Sequence, residues 1–219
     1  MKLSALKYYI SSLPTLVGGV DFYRIPLLFL KKPVLLNIAG GYKIYVRNLL
    51  DVWTLKEVIL DDNYYVKDIS ENTVVDVGSA LGDFSILVSD NAKRVLAFDP
   101  DRGLIKLMRR NLKMNNVTNV ETYQEAVTSL NELFSKYRLG YNCFVKVDCE
   151  GAEYGIFKNV SSHTLKKIDR IAFEIHFFNK GQRDKYRNLK KRLVEAGFKL
   201  TETPNPVHEY LRFLYASRV

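Results

Sequence analysis

The residues of this chain that could do chemistry fall at regular places. Asp76, Asp99, Glu125, Asp148 and His176 each end, or directly follow, a short apolar run. Side chains so placed meet when a parallel sheet gathers a ligand beyond the carboxyl ends of its strands. The first of these runs leads into "VVDVGSALGDFS", residues 74–85, where Gly78 and Gly82 bracket a turn containing Ser79, and Asp83 follows at the mouth of a helical pattern. Glycines there imply that something lies close to the backbone. The dinucleotide fingerprint G-x-G-x-x-G is not met, because Ala80 and Asp83 stand at its second and third glycine positions. A carboxylate at a helix N-terminus satisfies the dipole itself and repels the pyrophosphate that would otherwise sit there. A nucleoside carrying an ammonium group and no phosphate fits better, and S-adenosylmethionine is such a ligand.

Asp99 supports a nucleoside. It ends the second run about 20 residues after Gly78, where a carboxylate can accept from both ribose hydroxyls. The alternative is a helix cap ahead of Pro100. At the reacting end, methyl transfer from a sulfonium needs alignment and exclusion of water, and a hydroxyl acceptor must also lose its proton. Asp148 ends the fourth run. Glu174 and His176 are two apart on the fifth and share a face. His176 or Asp148 is the candidate base, with Glu174 orienting it; a hydrogen-bonded structural role for His176 is the alternative. Glu150 and Glu153 read as caps of the following helix. Asp148 and Glu174 could together hold Mg²⁺, although their spacing is not diagnostic and no metal ligand set is assigned.

These residues need a scaffold to bring them together. From residue 73, apolar strand runs (73–78, 94–100, 119–127, 143–151, 170–176) alternate with helical stretches (82–91, 101–116, 130–137, 153–160, 163–168, 180–192). That alternation predicts an α/β fold with a doubly wound, mostly parallel sheet. The ending, residues 198–219, reads as two strands joined by a polar, Pro-rich loop, so an antiparallel hairpin closes a seven-stranded sheet. Upstream, residues 1–30 read as helix interrupted at Pro14, Gly18 and Gly19. A hairpin follows about Gly40 and Gly41, then a helix over 49–60 and a linker over 61–72. The expected division is a small extension, 1–70, and a catalytic domain, 71–219.

The chain has 219 residues, 47% of them hydrophobic, enough for one good core. Two cysteines, Cys143 and Cys149, make neither a disulfide framework nor a zinc site. No apolar run approaches the roughly 20 residues that span a bilayer. The first 19 residues lack the apolar core of a signal peptide and read as a mature amphipathic segment, so the expected location is cytoplasmic, with contact at a membrane surface open. The formal charge of +9 invites an acidic partner. Its densest patch, "KGQRDKYRNLKKR" at 180–192, also places Tyr186, Leu189 and Leu193 at helical spacing, which suits the wet face of a helix. Anionic lipid and RNA are the partners this charge could meet.

Taken together, "VVDVGSALGDFS", "VLAFDPD", the helix with Asn111 and Asn115, "FVKVDCEGAEYGIF" and "IAFEIH" resemble the FkbM-type methyltransferases, a family of class I, Rossmann-like S-adenosylmethionine enzymes that mostly methylate hydroxyls. The likeness runs from about Leu35 to the C-terminus and is most specific at "VKVDCEGAE". The chain departs from the family pattern with Ser79-Ala80-Leu81 in the glycine loop, Asp99 where glutamate is usual, and Cys149 in place of an aliphatic residue. The resemblance implies that Asp76, Gly78, Ser79, Gly82 and Asp83 frame the methionine end of the cofactor. It puts Asp99 on the ribose, Glu125 near the adenine and Asp148 beside the methyl group. Asp148-Cys-Glu-Gly also lacks the Pro-Pro-aromatic sequence of enzymes that methylate base amino groups, which favours an oxygen acceptor on a sugar, a glycan or lipid-linked group, or a polyketide-like molecule. RNA methylation and a non-catalytic cofactor-binding or membrane-surface role are the competing readings. Substrate contacts are expected from the N-terminal segment and from loops 177–182 and 203–209. The acceptor's identity and the oligomeric state are not encoded in any motif.

Overall fold

The computed structural model describes residues 3–66, 69, 71–205 and 207–218, with residues 3–6 by backbone alone. Parts of the expected N-terminal helix and of the 61–72 linker, Pro206 of the closing loop and Val219 lie outside the described residues. Strands β1 (Val34–Ile38) and β2 (Tyr42–Val46) form an antiparallel hairpin, turning at Gly40 and Gly41, both at positive φ. The main sheet contains β3 (Thr73–Val77), β4 (Arg94–Asp99), β5 (Val120–Gln124), β6 (Cys143–Val147), β7 (Ile168–His176), β8 (Lys199–Pro204) and β9 (Leu211–Ser217). Its order is β5-β4-β3-β6-β7-β9-β8. The pairings among β3 to β7 are parallel, and β9 runs antiparallel between β7 and β8, as expected for the closing hairpin. Successive strands leave β3 in opposite directions, to β4 and β5 on one side and to β6 and β7 on the other. The crevice of a doubly wound sheet therefore opens at the carboxyl ends of β3 and β6.

Both sheet faces are covered, which is why the inner strands β3, β4, β6 and β7 are largely apolar. Val75, Val77, Val145 and Val147 pack against α5 (Leu130–Lys136), α6 (Glu153–Phe157), α7 (Ser162–Leu165) and α8 (Lys180–Glu195). On the opposite face, Val74, Val95 and Phe144 meet Phe84 and Val88 of α3 (Asp83–Ser89), together with Tyr64 and Phe213. The N-terminal segment contributes α1 (Leu3–Gly19), a 3₁₀ stretch (Phe22–Phe29) and α2 (Leu49–Leu55), which continues as a π-helical turn (Lys56–Leu60). Its Leu16, Leu36, Ile44 and Leu55 share one core with Ile86, Ala97 and with Ile105 and Met108 of α4 (Arg102–Met114).

Local chemistry explains several details. Pro14 lies inside α1 and does not interrupt it. It is exposed, as is Ile10, the residue one turn earlier that loses its N–H partner there. Asn111 and Asn115, one turn apart on α4 and its C-terminal cap, use their amides on the open edge of β2. Asn111 accepts from the Tyr45 N–H at 2.8 Å, and Asn115 accepts from and donates to the Lys43 backbone at 2.8 Å. They tie the hairpin to the main domain and blunt a free strand edge. On α8, Tyr186, Leu189 and Leu193 are buried, so the basic residues form its outer face. Several are engaged within the chain: Lys190 pairs with Glu202 at 2.5 Å, and Arg192 donates to the carbonyls of Phe157 and Lys158.

A core shared between the N-terminal segment and the sheet implies one cooperative unit. Urea unfolding followed by fluorescence of the single tryptophan, Trp53, should coincide with the transition followed by far-ultraviolet dichroism. Leu36→Ala, at a fully buried site, should shift both together by about 2–5 kcal/mol. Two separate transitions would contradict the shared core.

Candidate active site

The site is built around Lys146, a charged residue in the central strand β6. Asp76 on β3 is its direct cross-strand neighbour, and Ala172 on β7 leaves room on the other side. Lys146 and Asp76 are both buried. The Lys146 Nζ lies 3.1 Å from Asp76 Oδ1 and 3.8 Å from Asp148 Oδ2, and donates to the Gly78 carbonyl at 2.8 Å. The rings of Tyr64 and Phe84 lie 5.7 and 5.8 Å from the ammonium. Burial opposes the charge on Lys146, but Asp76, Asp148 and Asp83 outweigh it and hold the lysine above its ordinary range. Ser85 donates to Asp76 Oδ2 at 2.7 Å, while Oδ1 is held by the ion pair with Lys146. Asp76 thus lies inside β3, one residue before its end, and acts beneath the glycine loop.

The loop's glycines answer to the chain itself. Gly78 has φ +79°, and a Cβ there would fall 1.7 Å from the Asp148 carbonyl oxygen, so the first loop crosses directly over the end of β6. A Cβ on Gly82, also at φ +79°, would meet the Met108 side chain of α4 at 2.5 Å. What lies close to these backbones is therefore protein, a correction to the expectation of a ligand. Asp99 accepts from the Ala80 N–H at 3.1 Å and the Asp101 N–H at 2.8 Å. The cap of α4 is Asp101, which accepts from the Leu104 N–H, so the capping alternative for Asp99 is replaced. A carboxylate can accept about four hydrogen bonds, which leaves Asp99 two more, the number a ribose diol requires. Glu125 follows β5. Its backbone N–H donates to the Asp99 carbonyl, while its side chain accepts from Lys136 at 2.6 Å and Tyr137 at 2.7 Å.

Asp83 is buried at the first turn of α3, and burial pushes its carboxyl up to about 6, against the pull of Lys146. It accepts from its own and the Phe84 backbone N–H, so the helix N-terminus is already filled by a carboxylate. Its Oδ2, and the hydroxyl of buried Ser79, have no hydrogen-bond partner. Two unpartnered oxygens at the loop, one of them on a carboxylate, suit an ammonium group and not a phosphate. The residues present therefore fit S-adenosylmethionine.

On the other side of Asp148 lies a cavity of about 550 Å³. It is lined by Asp148, Glu150, Glu174 and His176, by Trp53 and Glu57 of the N-terminal segment, and by loop residues of 205–211. The expected catalytic residues are thus brought together, and the flanking segments anticipated for substrate contact form the walls. Asp99 and Glu125 lie outside this cavity, on the glycine-loop side. His176 is buried, with Nδ1 2.9 Å from Glu153 Oε1 and Nε2 3.5 Å from Glu150 Oε2. Burial opposes its charge. The Glu153 hydrogen bond and the Glu153, Asp148 and Glu174 charges prevail, and the imidazole is raised to about 9. Burial, then the charge of Asp148, pushes Glu174 up to about 8, and burial raises Asp148 against Lys146 and His176. Glu153 accepts from the backbone N–H of Cys149 and Gly151 and so fastens the turn after β6. Glu150 is no helix cap: it is exposed at positive φ, above His176, and α6 is capped by Ala152. Among the described residues no group of three or more His, Cys, Asp or Glu side chains is arranged to hold a metal, so the Asp148–Glu174 pair gains no third ligand. Cys143 and Cys149 are both free.

Sequence reasoning missed Lys146, Glu57 and Trp53. Lysine in a strand otherwise buried on both faces was a signal that could have been read; the other two sit on a segment with no motif.

Residues 117–200 match the model of the methyltransferase FkbM domain, which bears out the resemblance over β5 to β7 and α8. Among solved structures, the fold is shared with an rRNA methylase from Streptococcus thermophilus (14% identity, 74% of this chain and 96% of that one, TM-score 0.57). It is shared also with a Streptococcus mutans protein in complex with SAH (16%, 74% and 97%, 0.57). A third is the SAM-dependent O-methyltransferase of Thermotoga maritima (15%, 88% and 80%, 0.53). No curated protein matches the chain. The chain therefore has the fold that these methylases share, and residues 117–200 resemble the FkbM methyltransferase domain.

His176 provides a direct check. Its NMR titration should be centred near pH 9, and Glu153→Gln should bring it down toward the ordinary value of about 6.5. The folded state binds this proton more tightly than the unfolded chain, so the contribution is complete below about pH 6.5 and lost as pH rises through about 9. Glu174, raised from 4.5 to about 8, acts in the same direction over its own range. Stability to urea should therefore fall steadily from about pH 6 to pH 9; a rise would contradict the assignment.

Proposed function

We propose that the protein is an O-methyltransferase that moves the methyl group of S-adenosylmethionine to a hydroxyl of a small polar acceptor, such as a sugar, a glycan or lipid-linked group, or a polyketide-like molecule. The observation that carries this reading is the position of Asp148. It stands where the glycine loop and the cavity meet, with Lys146 beneath it. Ser79 and Asp83 would hold the amino-acid end of the cofactor, Asp99 its ribose, and Glu125, across β5, would lie toward its adenine. When bound, the cofactor supplies a sulfonium-activated methyl group. The protein's part is to place an acceptor oxygen against it and take that oxygen's proton.

The electrostatics divide the roles. His176 is an imidazolium at neutral pH, with both nitrogens engaged, so it positions Glu150 and Glu153 and does not take a proton. Asp148 is the base. Glu174, protonated near neutral pH, donates a hydrogen bond that orients the acceptor. The aromatic walls, Trp53, Tyr64 and Phe178 among them, keep water from the reacting atoms. RNA methylation is disfavoured because the described cavity wall is acidic and carries no Lys or Arg.

A further observation favours work at an anionic membrane surface. Ile10, Leu13 and Val17 lie at helical spacing on the exposed face of α1, and Phe29 and Leu30 are exposed just before exposed Lys31 and Lys32. No helix among the described residues is long and apolar enough to cross a membrane.

Calorimetry should show binding of S-adenosylhomocysteine and none of NAD. Asp99→Ala should weaken the first at least tenfold, about 1.4 kcal/mol. Asp148→Asn should lower methyl transfer by about 10²–10⁴ while leaving that affinity nearly unchanged. NAD binding, or an active Asp148→Asn enzyme, would overturn the proposal. In vesicle co-sedimentation, the protein should pellet with phosphatidylserine vesicles, and Phe29→Ser/Leu30→Ser should release it; equal pelleting would remove the membrane reading.

A further inference from the structure

We infer that the cavity beside Asp148 takes an acceptor bearing a protonated amine along with its hydroxyls, as an amino sugar does. The inference rests on the hydroxyl-methylation reading above and names the class of its acceptor.

The first observation is a reversal of charge. The chain carries +9 overall, yet no described residue lining this cavity is Lys or Arg, while Glu57, Asp148, Glu150 and Glu174 all line it. His176 is already committed to Glu153 and Glu150. Lys146 lies beneath the floor, committed to Asp76, Asp148 and the Gly78 carbonyl. Like charges facing one another across a partly buried space repel, and a cation between them relieves that repulsion. Glu174, whose carboxyl is raised first by burial and then by the charge of Asp148, would ionise beside such a cation. A phosphate or carboxylate on the acceptor would add to the repulsion.

The second observation is the placement of aromatic rings among these carboxylates. Tyr9 and Trp53 stand edge to face, 4.9 Å apart, and the Trp53 indole donates to Glu57 Oε1 at 3.0 Å. Across the cavity, Phe178 lies 6.1 Å from Tyr210, which is 5.1 Å from His208. Ring faces attract ammonium groups and also pack against the C–H faces of sugar rings. Carboxylates beside aromatic faces therefore select an amine carried on a polyhydroxylated ring. The volume of about 550 Å³ lies within the range of small-molecule sites.

The test uses the full chain saturated with S-adenosylhomocysteine. Calorimetry compares three trisaccharides: chitosan trimer with free amines, its N-acetylated counterpart, and trigalacturonate. The amine trimer should bind at least about tenfold tighter than the neutral one, and the acidic one should give no binding. Glu57→Gln, which keeps the shape and the Trp53 acceptor, and Glu150→Gln, at an exposed site, should each reduce the amine preference at least about threefold. The neutral trimer's affinity should change little in either variant. Unchanged S-adenosylhomocysteine affinity certifies that both variants are folded. Equal binding of the three trimers, stronger binding of the acidic one, no binding of the amine trimer at millimolar concentration, or an unaltered preference in both variants would overturn the inference. Loss of S-adenosylhomocysteine binding by the unmodified protein would overturn the methyltransferase reading instead, so the two failures are distinct.

Discussion

A single buried ammonium group organises this molecule. Lys146 sits in the middle of the main sheet, where a charge is costly unless neighbours replace its water. Asp76 across the strand pair, Asp148 two residues on, the Gly78 carbonyl and two aromatic faces provide that replacement. The three polar partners belong to β3, to the loop that leaves it, and to the end of β6. Satisfying the lysine therefore fixes the crevice where the chemistry is proposed. Replacing only one partner would strand a charge, so the cluster makes more sense as a device that specifies geometry than as a source of net stability.

The arrangement also sorts charge in space. On the loop side, a carboxylate fills the start of α3, and unpartnered oxygens wait beside it. On the cavity side, carboxylates dominate again, held in place by an imidazolium that Glu153 and Glu150 clasp. Positive charge is kept below the floor and on the outer surface, where α8 spends part of it on Glu202 and on backbone carbonyls. A protein with a basic surface and an acidic interior cleft can be attracted to an anionic environment while handling a neutral or cationic molecule inside.

Much of this was legible in the sequence, and the reasons are physical. Inner parallel strands buried on both faces read as apolar runs, so β3, β4, β6 and β7 and the ligand edge could be located from the order of runs and helical stretches. The period of two put Glu174 and His176 on one face. The helical spacing of Tyr186, Leu189 and Leu193 marked the buried stripe of α8. What escaped was long-range. Nothing local says that Lys146 will meet Gly78, that Asn111 and Asn115 will hold the hairpin, or that Gly78 is required by the Asp148 carbonyl. Asp99 and Asp101 are both plausible caps in one dimension; only the fold decides that Asp101 takes the helix and Asp99 the loop. Glu57 and Trp53 were invisible as site residues because their helix shows only an amphipathic pattern, and their importance comes from where the N-terminal segment docks.

The central claim is that the Lys146-anchored crevice holds a phosphate-free, cationic nucleoside with its reacting centre toward Asp148. A crystal structure with S-adenosylhomocysteine tests it most directly. The account predicts the amino-acid moiety against Ser79 and Asp83, the ribose on Asp99, and the sulfur facing Asp148 at the mouth of the cavity. Density for the ligand elsewhere, or a loop that accepts a diphosphate in that place, would contradict it.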